Sequence, residues 1–216
     1  MFNGILTGMG DFYRDLILAS RSPRRTALLR MIGVSHTVQE PVGEEVFESH
    51  DMIDEARASD ICRQLATDKA RGVAANNPGR VVLGADTIVV VDGRLFGKPA
   101  DTAEARRMLH ELAGRTHRVY TGICLIRDDI SASEVVSTAV TFYPPSDEMS
   151  RLIEDYLASG APLDKAGAYG IQDFGSLLIE GIEGDYYNVV GLPLASFWRL
   201  QNRLRLEQGA IDEKSD

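Results

Sequence analysis

Three arginines stand around one predicted helix start near the beginning of the chain. Arg21, Arg24 and Arg25 flank the pair Ser22-Pro23. Ser22 is a good N-cap, and Pro23 suits the first helical position because its missing N–H has no intrahelical partner there. The free N–H groups and the positive dipole end of such a helix favour an anion. The pattern predicts a phosphate site, although an ordinary capped helix with solvated arginines has the same pattern.

Asp86 is the second residue whose position could serve chemistry. It lies inside the apolar stretch 81–91, where an ionised carboxylate is costly unless it is paired, hydrogen-bonded or bound to a metal. We expect Gly84 to let another group approach this strand, and the strand to direct Asp86 into a cavity. A structural partner such as an arginine is the alternative. Lys98 follows in Gly97-Lys98-Pro99, which is not a Walker A loop because proline replaces the serine or threonine.

Two acids, a lysine and a glutamine complete the candidate set. Glu44 and Glu45 lie in a predicted loop, and Lys69 lies toward the end of a predicted helix. Gln172 ends the glycine-containing segment 164–172, which is typical of irregular, closely packed backbone, and its amide could read the edge of a base. Each residue also has a plain interpretation: solvated loop acids, a surface lysine and a glutamine that satisfies backbone groups.

The apolar pattern and the turn residues predict the elements that must position these side chains. The first elements are a buried strand at 16–19 and a helix that begins at Pro23, has Ala27, Leu28, Met31 and Ile32 on its inner face and stops at Gly33. A helix at 53–75, a strand at 81–91 that returns through an Asp92-Gly93 turn, and a helix with Asp101 and Glu104 as its capping box follow. The remaining elements are strands at 118–126 and 134–142, a helix capped by Ser146, a strand at 177–182 and a last helix from Pro193. This alternation predicts an α/β fold with a central sheet.

The composition indicates an ordinary globular domain with an acidic balance. The 216 residues are 44% hydrophobic and 25% charged, and the net charge is −9. A nucleic-acid binder needs a broad cationic surface, so we expect a small phosphorylated ligand and no nucleic-acid partner. No apolar run is long enough to span a membrane. Cys62 and Cys124 lie far apart and the four histidines form no ligand pattern, so we expect a cytoplasmic protein without a zinc site.

The candidate residues fall within a series of motifs that occur in a fixed order. The motifs are Ser20-x-Ser22-Pro23-Arg24-Arg25, Gly84-Ala85-Asp86-Thr87, Gly97-Lys98-Pro99, Gly114-x-x-His117-x-Val119-Tyr120-Thr121-Gly122, the segment Asp164 to Gln172, and Val190-Gly191-Leu192-Pro193-Leu194. Together they resemble the Maf family of nucleoside triphosphate pyrophosphatases from Leu16 to Leu204. We therefore divide the chain into an extension at 1–15, a Maf-like domain at 16–205 and a polar tail at 206–216 that we expect to fray.

The resemblance implies a fold, a reaction and a cofactor. The fold is a two-lobed α/β fold, like that of the inosine triphosphate pyrophosphatases, with a central twisted mixed sheet and the substrate in the cleft between the lobes. The reaction is the hydrolysis of a nucleoside triphosphate to its monophosphate and pyrophosphate with a divalent cation, Mg²⁺ or Mn²⁺. Asp86 matches the family's proposed proton acceptor, and Glu45 and Asp86 are the expected metal ligands, with Glu44 as the runner-up to Glu45.

The resemblance also implies a set of substrate-binding positions. These are Ser20, Ser22, Arg24, Arg25, Lys69, Thr87, Lys98 and Gln172. Arg24, Thr87 and Gln172 match positions linked to nucleotide choice, and they look like the subgroup that acts on dTTP and UTP rather than the sister subgroup that acts on 7-methyl-GTP. Modified pyrimidine nucleotides fit the same pattern. The expected partners are this nucleotide and a second copy of the chain in a homodimer.

Two positions depart from the family pattern. Ala161 stands where glutamate is common, and Asp173 stands where a glycine usually follows the glutamine. Both lie near the base-reading segment, so they bear on the nucleotide preference more than on the reaction. The competing function is a nucleotide-binding regulator of cell division without turnover. An unpaired Asp86 that faces a polyanion would favour the hydrolase over this regulator.

Overall fold

The protein is described here by a computed structural model that covers residues 16–41 and 52–215, with side chains to residue 210. The predicted extension at 1–15 and the two loop glutamates lie outside these residues. In chain order the elements are β1 (Leu16–Ala19), α1 (Pro23–Met31), β2 (His36–Val38), α2 (Glu55–Ala74), β3 (Val82–Val91), β4 (Arg94–Phe96), α3 (Thr102–Leu112), β5 (Thr116–Arg127), β6 (Ile130–Phe142), α4 (Asp147–Ala158), β7 (Ile179–Glu183), α5 (Tyr186–Val190) and α6 (Leu194–Ser215), with short 3-10 turns at Ala161–Asp164, Ala166–Ala168 and Phe174–Leu178.

One mixed sheet of seven strands forms the centre of the fold. The strand order is β2-β1-β3-β5-β6-β7, and β4 pairs with the end of β3. β1 is parallel to both of its neighbours, and the other pairs are antiparallel. The predicted α/β fold with a central mixed sheet is therefore confirmed. Within the described residues, no helix combines the length and the hydrophobicity that a bilayer crossing requires.

The sequence predicts several helix boundaries and one turn correctly. α1 begins at Pro23 and ends before Gly33, which has a φ of 74°. The predicted turn between β3 and β4 has a φ of 47° at Asp92 and 73° at Gly93, as a type I′ turn requires. Asp101 caps α3 by accepting a hydrogen bond from the Glu104 N–H. Ser22 does occupy the N-cap of α1, but its side chain makes no capping hydrogen bond.

Other sequence predictions are wrong in detail. The buried face of α1 is formed by Arg25, Leu28 and Leu29, whereas Met31 is 57% exposed and Ala27 is also exposed. An arginine occupies an inward position here because buried polar groups accept its hydrogen bonds. The pattern of apolar residues could not show this.

The end of the chain also differs from the prediction. The strand predicted at 177–182 begins only at Ile179, because Phe174–Leu178 forms a 3-10 turn, and α5 was not predicted at all. α6 extends to Ser215 and so includes most of the predicted polar tail, whose fraying stays a prediction. Glu207 accepts a hydrogen bond from Arg203 at 2.9 Å, an i,i+4 pair that supports the helix.

Two apolar clusters lie on one face of β3 and leave a polar gap between them. Leu83 and Ala85 belong to the first cluster, with residues of α1 and α6. Val89 and Val91 belong to the second cluster, with residues of α3 and α4. Because side chains alternate along a strand, Thr87 lies on the same face between the two clusters. We call the part of the molecule around the first cluster, with α1 and α6, the first lobe, and the part around the second cluster, with α3 and α4, the second lobe. The gap is the cleft between these two lobes.

Helix α2 packs very closely on the opposite face of the sheet. A Cβ atom at Gly84 of β3 would lie 2.8 Å from the Cβ of Ala70, and one at Gly122 of β5 would lie 2.8 Å from the carbonyl carbon of Cys62. Both distances are shorter than carbon contacts allow, so only glycine permits this spacing. The predicted role of Gly84 is confirmed, and its consequence is that α2 holds its polar residues directly above β3.

We predict that Gly84→Ala lowers the free energy of unfolding by about 1 to 3 kcal/mol, because the added methyl group pushes α2 away from the sheet. Gly72→Ala is the matched control, since a Cβ at Gly72 in the same helix meets nothing within 4 Å. The control should gain up to about 1 kcal/mol from the higher helix propensity of alanine. Urea unfolding followed by circular dichroism measures both variants. An equal or smaller loss in Gly84→Ala than in the control would contradict the close packing.

Candidate active site

A cavity of about 650 Å³ opens in the cleft between the lobes. Every predicted substrate-binding or catalytic residue lines this cavity: Ser20, Ser22, Arg24, Arg25, Lys69, Asp86, Thr87, Lys98 and Gln172. The predicted metal ligand Glu45 and its runner-up Glu44 lie outside the described residues. Ser20 and Gln172, which are 152 residues apart in the sequence, therefore lie at one site.

Six parts of the fold supply these side chains. Ser20 follows β1, the first turn of α1 carries two arginines, α2 carries Lys69, β3 carries Asp86 and Thr87, and Lys98 follows β4. Gln172 comes from the irregular segment before the last 3-10 turn, and its side chain is exposed in the cleft. The parallel pairing of β1 with β3 sets Ala19 beside Gly84, so the loop after β1 and the middle of β3 face the same opening.

The charge balance inside the cavity is the reverse of the balance of the whole chain. The described lining residues include six cationic side chains, namely Arg21, Arg24, Arg25, Lys69, Lys98 and Lys165, against two carboxylates, Asp86 and Asp164. The complete chain has a net charge of −9. A cleft with low-dielectric walls and one dominant sign of charge concentrates ligands of the opposite sign. The cavity therefore suits a small polyanion.

Asp86 forms a buried ion pair with Lys69. The two side chains are 7% and 10% exposed, and Lys69 Nζ contacts Asp86 Oδ1 directly. The pair exists because α2 rests on Gly84, two residues before Asp86 on the same face of β3. The ammonium offsets much of the cost of burying the carboxylate. The expectation of an unpaired Asp86 is therefore wrong, because a lysine pairs with it.

Arg25 joins three separate parts of the chain. Its Nε donates to the Gly191 carbonyl at 2.8 Å, and its two terminal nitrogens donate to Ser20 Oγ at 2.8 Å and to Thr87 Oγ1 at 3.1 Å. The side chain is buried, with the residue 7% exposed. Thr87 Oγ1 also lies 2.9 Å from Thr121 Oγ1, which ties β3 to β5 in the same network. Arg25 thus fixes the geometry of the cavity wall, in addition to its predicted contact with substrate.

Arg24 is held across the cleft by Asp164. Arg24 Nη1 donates to Asp164 Oδ2 at 2.8 Å, and Lys165 Nζ donates to Asp164 Oδ1 at 2.6 Å. Burial opposes the ionisation of Asp164, but these hydrogen bonds from Lys165 and Arg24 outweigh it and lower the pKa of Asp164. Asp164 therefore stays charged at neutral pH and keeps Arg24 at the cavity wall.

Lys165 is a site residue that the sequence reasoning missed. It is 8% exposed, and its ammonium contacts both departures from the family pattern. Nζ donates to the Ala161 carbonyl at 2.6 Å and lies 3.2 Å from Asp173 Oδ2. A lysine inside a glycine-containing, closely packed segment is a signal that could have been read, because a buried lysine needs a carboxylate partner.

The buried cysteine and histidine near the site are structural groups. The Cys62 thiol lies 3.3 Å from the Asp86 carbonyl and accepts a hydrogen bond from the Gly122 N–H at 2.9 Å. Burial, and then the charge of Asp86, raise the pKa of this thiol to about 12. Burial lowers the pKa of His117 to about 3, and its Nε2 lies 2.8 Å from the Tyr169 hydroxyl. At neutral pH both groups are uncharged, and neither lines the cavity.

We predict that Arg25→Gln destabilises the fold far more than Arg24→Gln, although each variant removes one positive charge. Loss of Arg25 removes three hydrogen bonds from the cavity wall, to the Gly191 carbonyl, Ser20 Oγ and Thr87 Oγ1, which costs about 2 to 4 kcal/mol. Arg24 is partly exposed and pairs with an exposed carboxylate, so its loss costs less than about 1 kcal/mol. Urea unfolding of both variants gives the two values. Equal losses would show that the contacts of Arg25 contribute no more than a surface ion pair.

The sequence matches one protein family over most of its length. The family model described as Maf-like protein matches residues 15–204. The dTTP/UTP pyrophosphatase of Symbiobacterium thermophilum is 50% identical over 181 residues, which cover 84% of this chain and 89% of that protein. The protein of the same name from Bacillus cereus is 45% identical over 190 residues, which cover 88% of this chain and 90% of that protein. The one from Bacillus anthracis is 46% identical over 186 residues, which cover 86% of this chain and 93% of that protein. The chain therefore belongs to the Maf-like protein family.

Proposed function

We propose that this protein hydrolyses dTTP and UTP to the nucleoside monophosphate and pyrophosphate. The observation that carries the proposal is the cavity, where cationic side chains lie around the buried ion pair of Asp86 and Lys69. The relatives named dTTP/UTP pyrophosphatase support the same reaction and the same nucleotides. A cleft of this size holds a nucleotide rather than a macromolecule.

The triphosphate lies along the cationic side of the cavity. The start of α1 offers free backbone N–H groups beside Arg24, and Lys69 and Lys98 lie on the opposite wall. Lys98 is exposed and forms no hydrogen bond or ion pair with the described residues. No described residue therefore competes with a phosphate oxygen for the Lys98 ammonium.

Asp86 is the general base in this proposal. Its carboxylate orients a water molecule and accepts its proton as the water oxygen attacks the α-phosphorus. The bond from that phosphorus to the bridging oxygen breaks, and pyrophosphate leaves with the bridging oxygen. Lys69 holds the carboxylate in place, and its ammonium lies beside the charge that develops on the phosphate oxygens. General-base assistance of this kind contributes about 10² to 10⁴ in rate.

A divalent cation, Mg²⁺ or Mn²⁺, completes the proposal. Within residues 16–41 and 52–215, no group of three or more His, Cys, Asp or Glu residues could hold a metal by itself. Mg²⁺ commonly binds through one or two carboxylates together with the substrate phosphates, and Asp86 fits that mode. Glu45 remains the second expected ligand. When bound, the cation would neutralise charge on the phosphate oxygens.

Nucleotide choice is assigned to Arg24, Thr87 and Gln172, which the cavity brings together. Gln172 has an exposed amide with both donor and acceptor groups, as the edge of a pyrimidine requires. Modified pyrimidine nucleotides fit the same residues. The homodimer, the absence of a nucleic-acid partner and the cytoplasmic location stay predictions.

The proposed reaction is tested with a panel of dTTP, UTP, CTP, GTP, 7-methyl-GTP and ITP, with Mg²⁺, with Mn²⁺ and with a chelator. Pyrophosphate and orthophosphate are assayed separately. We expect pyrophosphate alone, with kcat/KM for dTTP and UTP at least about tenfold above the other nucleotides and no turnover in chelator. Orthophosphate as the first product would contradict the reaction. Nucleotide binding without any turnover would favour the regulator of cell division.

We predict that Asp86→Asn lowers kcat for dTTP at least about tenfold while dTTP binding survives, because the amide keeps the shape of the carboxylate but cannot accept the proton. Asp68→Asn is the matched control, since Asp68 lies on the exposed face of α2 next to Lys69. Steady-state turnover and isothermal titration calorimetry measure the two effects. Unchanged turnover in Asp86→Asn would remove Asp86 from the chemistry.

A further inference from the structure

Asp173 makes three polar contacts from one carboxylate. Oδ1 accepts hydrogen bonds from the Tyr156 hydroxyl and from the Gly175 N–H, both at 2.9 Å, and Oδ2 lies 3.2 Å from Lys165 Nζ. Tyr156 belongs to α4, whereas Lys165 follows the first 3-10 turn. The carboxylate therefore joins the segment 170–175 to two other parts of the lobe.

The segment 170–175, called the Gln172 loop below, is closed tightly around this carboxylate. A Cβ atom at Gly170 would lie 2.7 Å from Asp173 Oδ2 and 2.6 Å from Lys165 Cε, and one at Gly175 would lie 2.8 Å from the Gly170 carbonyl oxygen. The Gly170 N–H also donates to the Tyr156 hydroxyl at 3.1 Å. Both ends of the loop thus pack on the group that Asp173 organises, and the exposed Gln172 lies between them.

The Tyr156 hydroxyl is protonated at neutral pH and donates a hydrogen bond to Asp173. Burial, and then the neighbouring charge of Asp173, raise the pKa of Tyr156. Its proton therefore stays in place for Asp173, while its oxygen accepts the Gly170 N–H.

A chain of alternating charges leads from the Gln172 loop to the other lobe. Asp173 contacts Lys165, Lys165 contacts Asp164, and Asp164 holds Arg24 at the start of α1. Lys165 is 8% exposed, so its position depends on these two carboxylates rather than on solvent. Without the charge of Asp173, the Lys165 ammonium keeps its bonds to Asp164 and to the Ala161 carbonyl, both at 2.6 Å, and Asp164 must offset more of its charge, so Asp164 attracts Arg24 less strongly.

We propose that Asp173 is a positioning residue for nucleotide selection. It fixes the Gln172 loop directly, and it sets Arg24 through Lys165 and Asp164. Two side chains from opposite lobes that we assign to nucleotide choice are therefore held by one carboxylate that need not touch the nucleotide. The inference rests on the proposed function, because it assumes that the cavity binds a nucleoside triphosphate.

The test uses Asp173→Asn, which keeps the acceptor for Tyr156 and Gly175 but loses the charge that faces Lys165. We expect KM for dTTP to rise at least about fivefold while kcat changes less than about twofold, because the substitution acts on the Gln172 loop and on Arg24 and leaves the contact of Asp86 with Lys69 in place. The ratio of kcat/KM for dTTP over that for CTP should fall by a similar factor, which a general loss of stability would not cause. Asp155→Asn, at an exposed aspartate on α4, is the matched control and should behave as the unmodified protein.

Tyr156→Phe provides a second variant that removes only the hydroxyl between Asp173 and Gly170. It should shift KM and the dTTP to CTP ratio in the same direction as Asp173→Asn, with the fold verified by circular dichroism. An unchanged KM and an unchanged ratio in the folded variants would overturn the role of Asp173. A fall in kcat with KM and the ratio unchanged would overturn it as well.

The same experiment separates this inference from the proposed function. Turnover by the unmodified protein tests the function, and the ratio of variant to unmodified protein tests Asp173. If the unmodified protein releases no pyrophosphate, calorimetric titration with dTTP replaces the kinetic readout. A Kd raised at least about fivefold in Asp173→Asn would then support the positioning role, and an equal Kd would overturn it.

Discussion

The close packing of α2 on two glycines of the sheet is the constraint on which the site depends. Gly84 and Gly122 remove the side chains that would hold the helix away, so Lys69 reaches Asp86 in the middle of β3. Without that ammonium, a carboxylate in this apolar strand would carry the full cost of its burial. The same packing places the Cys62 thiol beneath the Asp86 backbone, where it fills space and accepts the Gly122 N–H. One local spacing thus determines the position of the proposed general base and of the cation beside it.

The cleft lies at a polar part of β3, between two apolar clusters on the same face of this strand. Thr87 lies between two apolar clusters, and it accepts a hydrogen bond from Arg25 and shares one with Thr121. Thr121 in turn donates to the Asn188 carbonyl at 2.9 Å, which ties α5 to the strands. Buried polar networks of this kind are rigid when their members are satisfied. The cavity wall is therefore set before a ligand arrives, which reduces the ordering that binding requires.

The features that the sequence predicts well are local. Asp92-Gly93 requires positive φ angles, and Pro23 favours a helix start, so neighbouring residues are sufficient to decide both. The resemblance added the members of the site, and all those within the described residues line one cavity. What could not be predicted depends on long-range pairing. The burial of the Arg25 side chain depends on acceptors at Ser20, Thr87 and Gly191, and the charge of the buried Lys165 is offset in part by Asp173. The periodicity of apolar residues along the sequence reveals neither of these contacts.

Two cations of the cavity are paired with carboxylates, and these ion pairs affect how strongly the substrate and the products bind. Lys69 and Arg24 each contact a carboxylate before any ligand is present, so an incoming phosphate must compete with Asp86 and Asp164. A triphosphate concentrates enough charge to compete at several cations at once, and it exchanges carboxylate contacts for phosphate contacts. Hydrolysis divides that charge between two smaller anions. Each of them competes less well against carboxylates that are fixed in the wall, so the internal ion pairs re-form as the products leave. The carboxylates of the cavity wall therefore favour the triphosphate over its products in a protein whose overall charge repels all three.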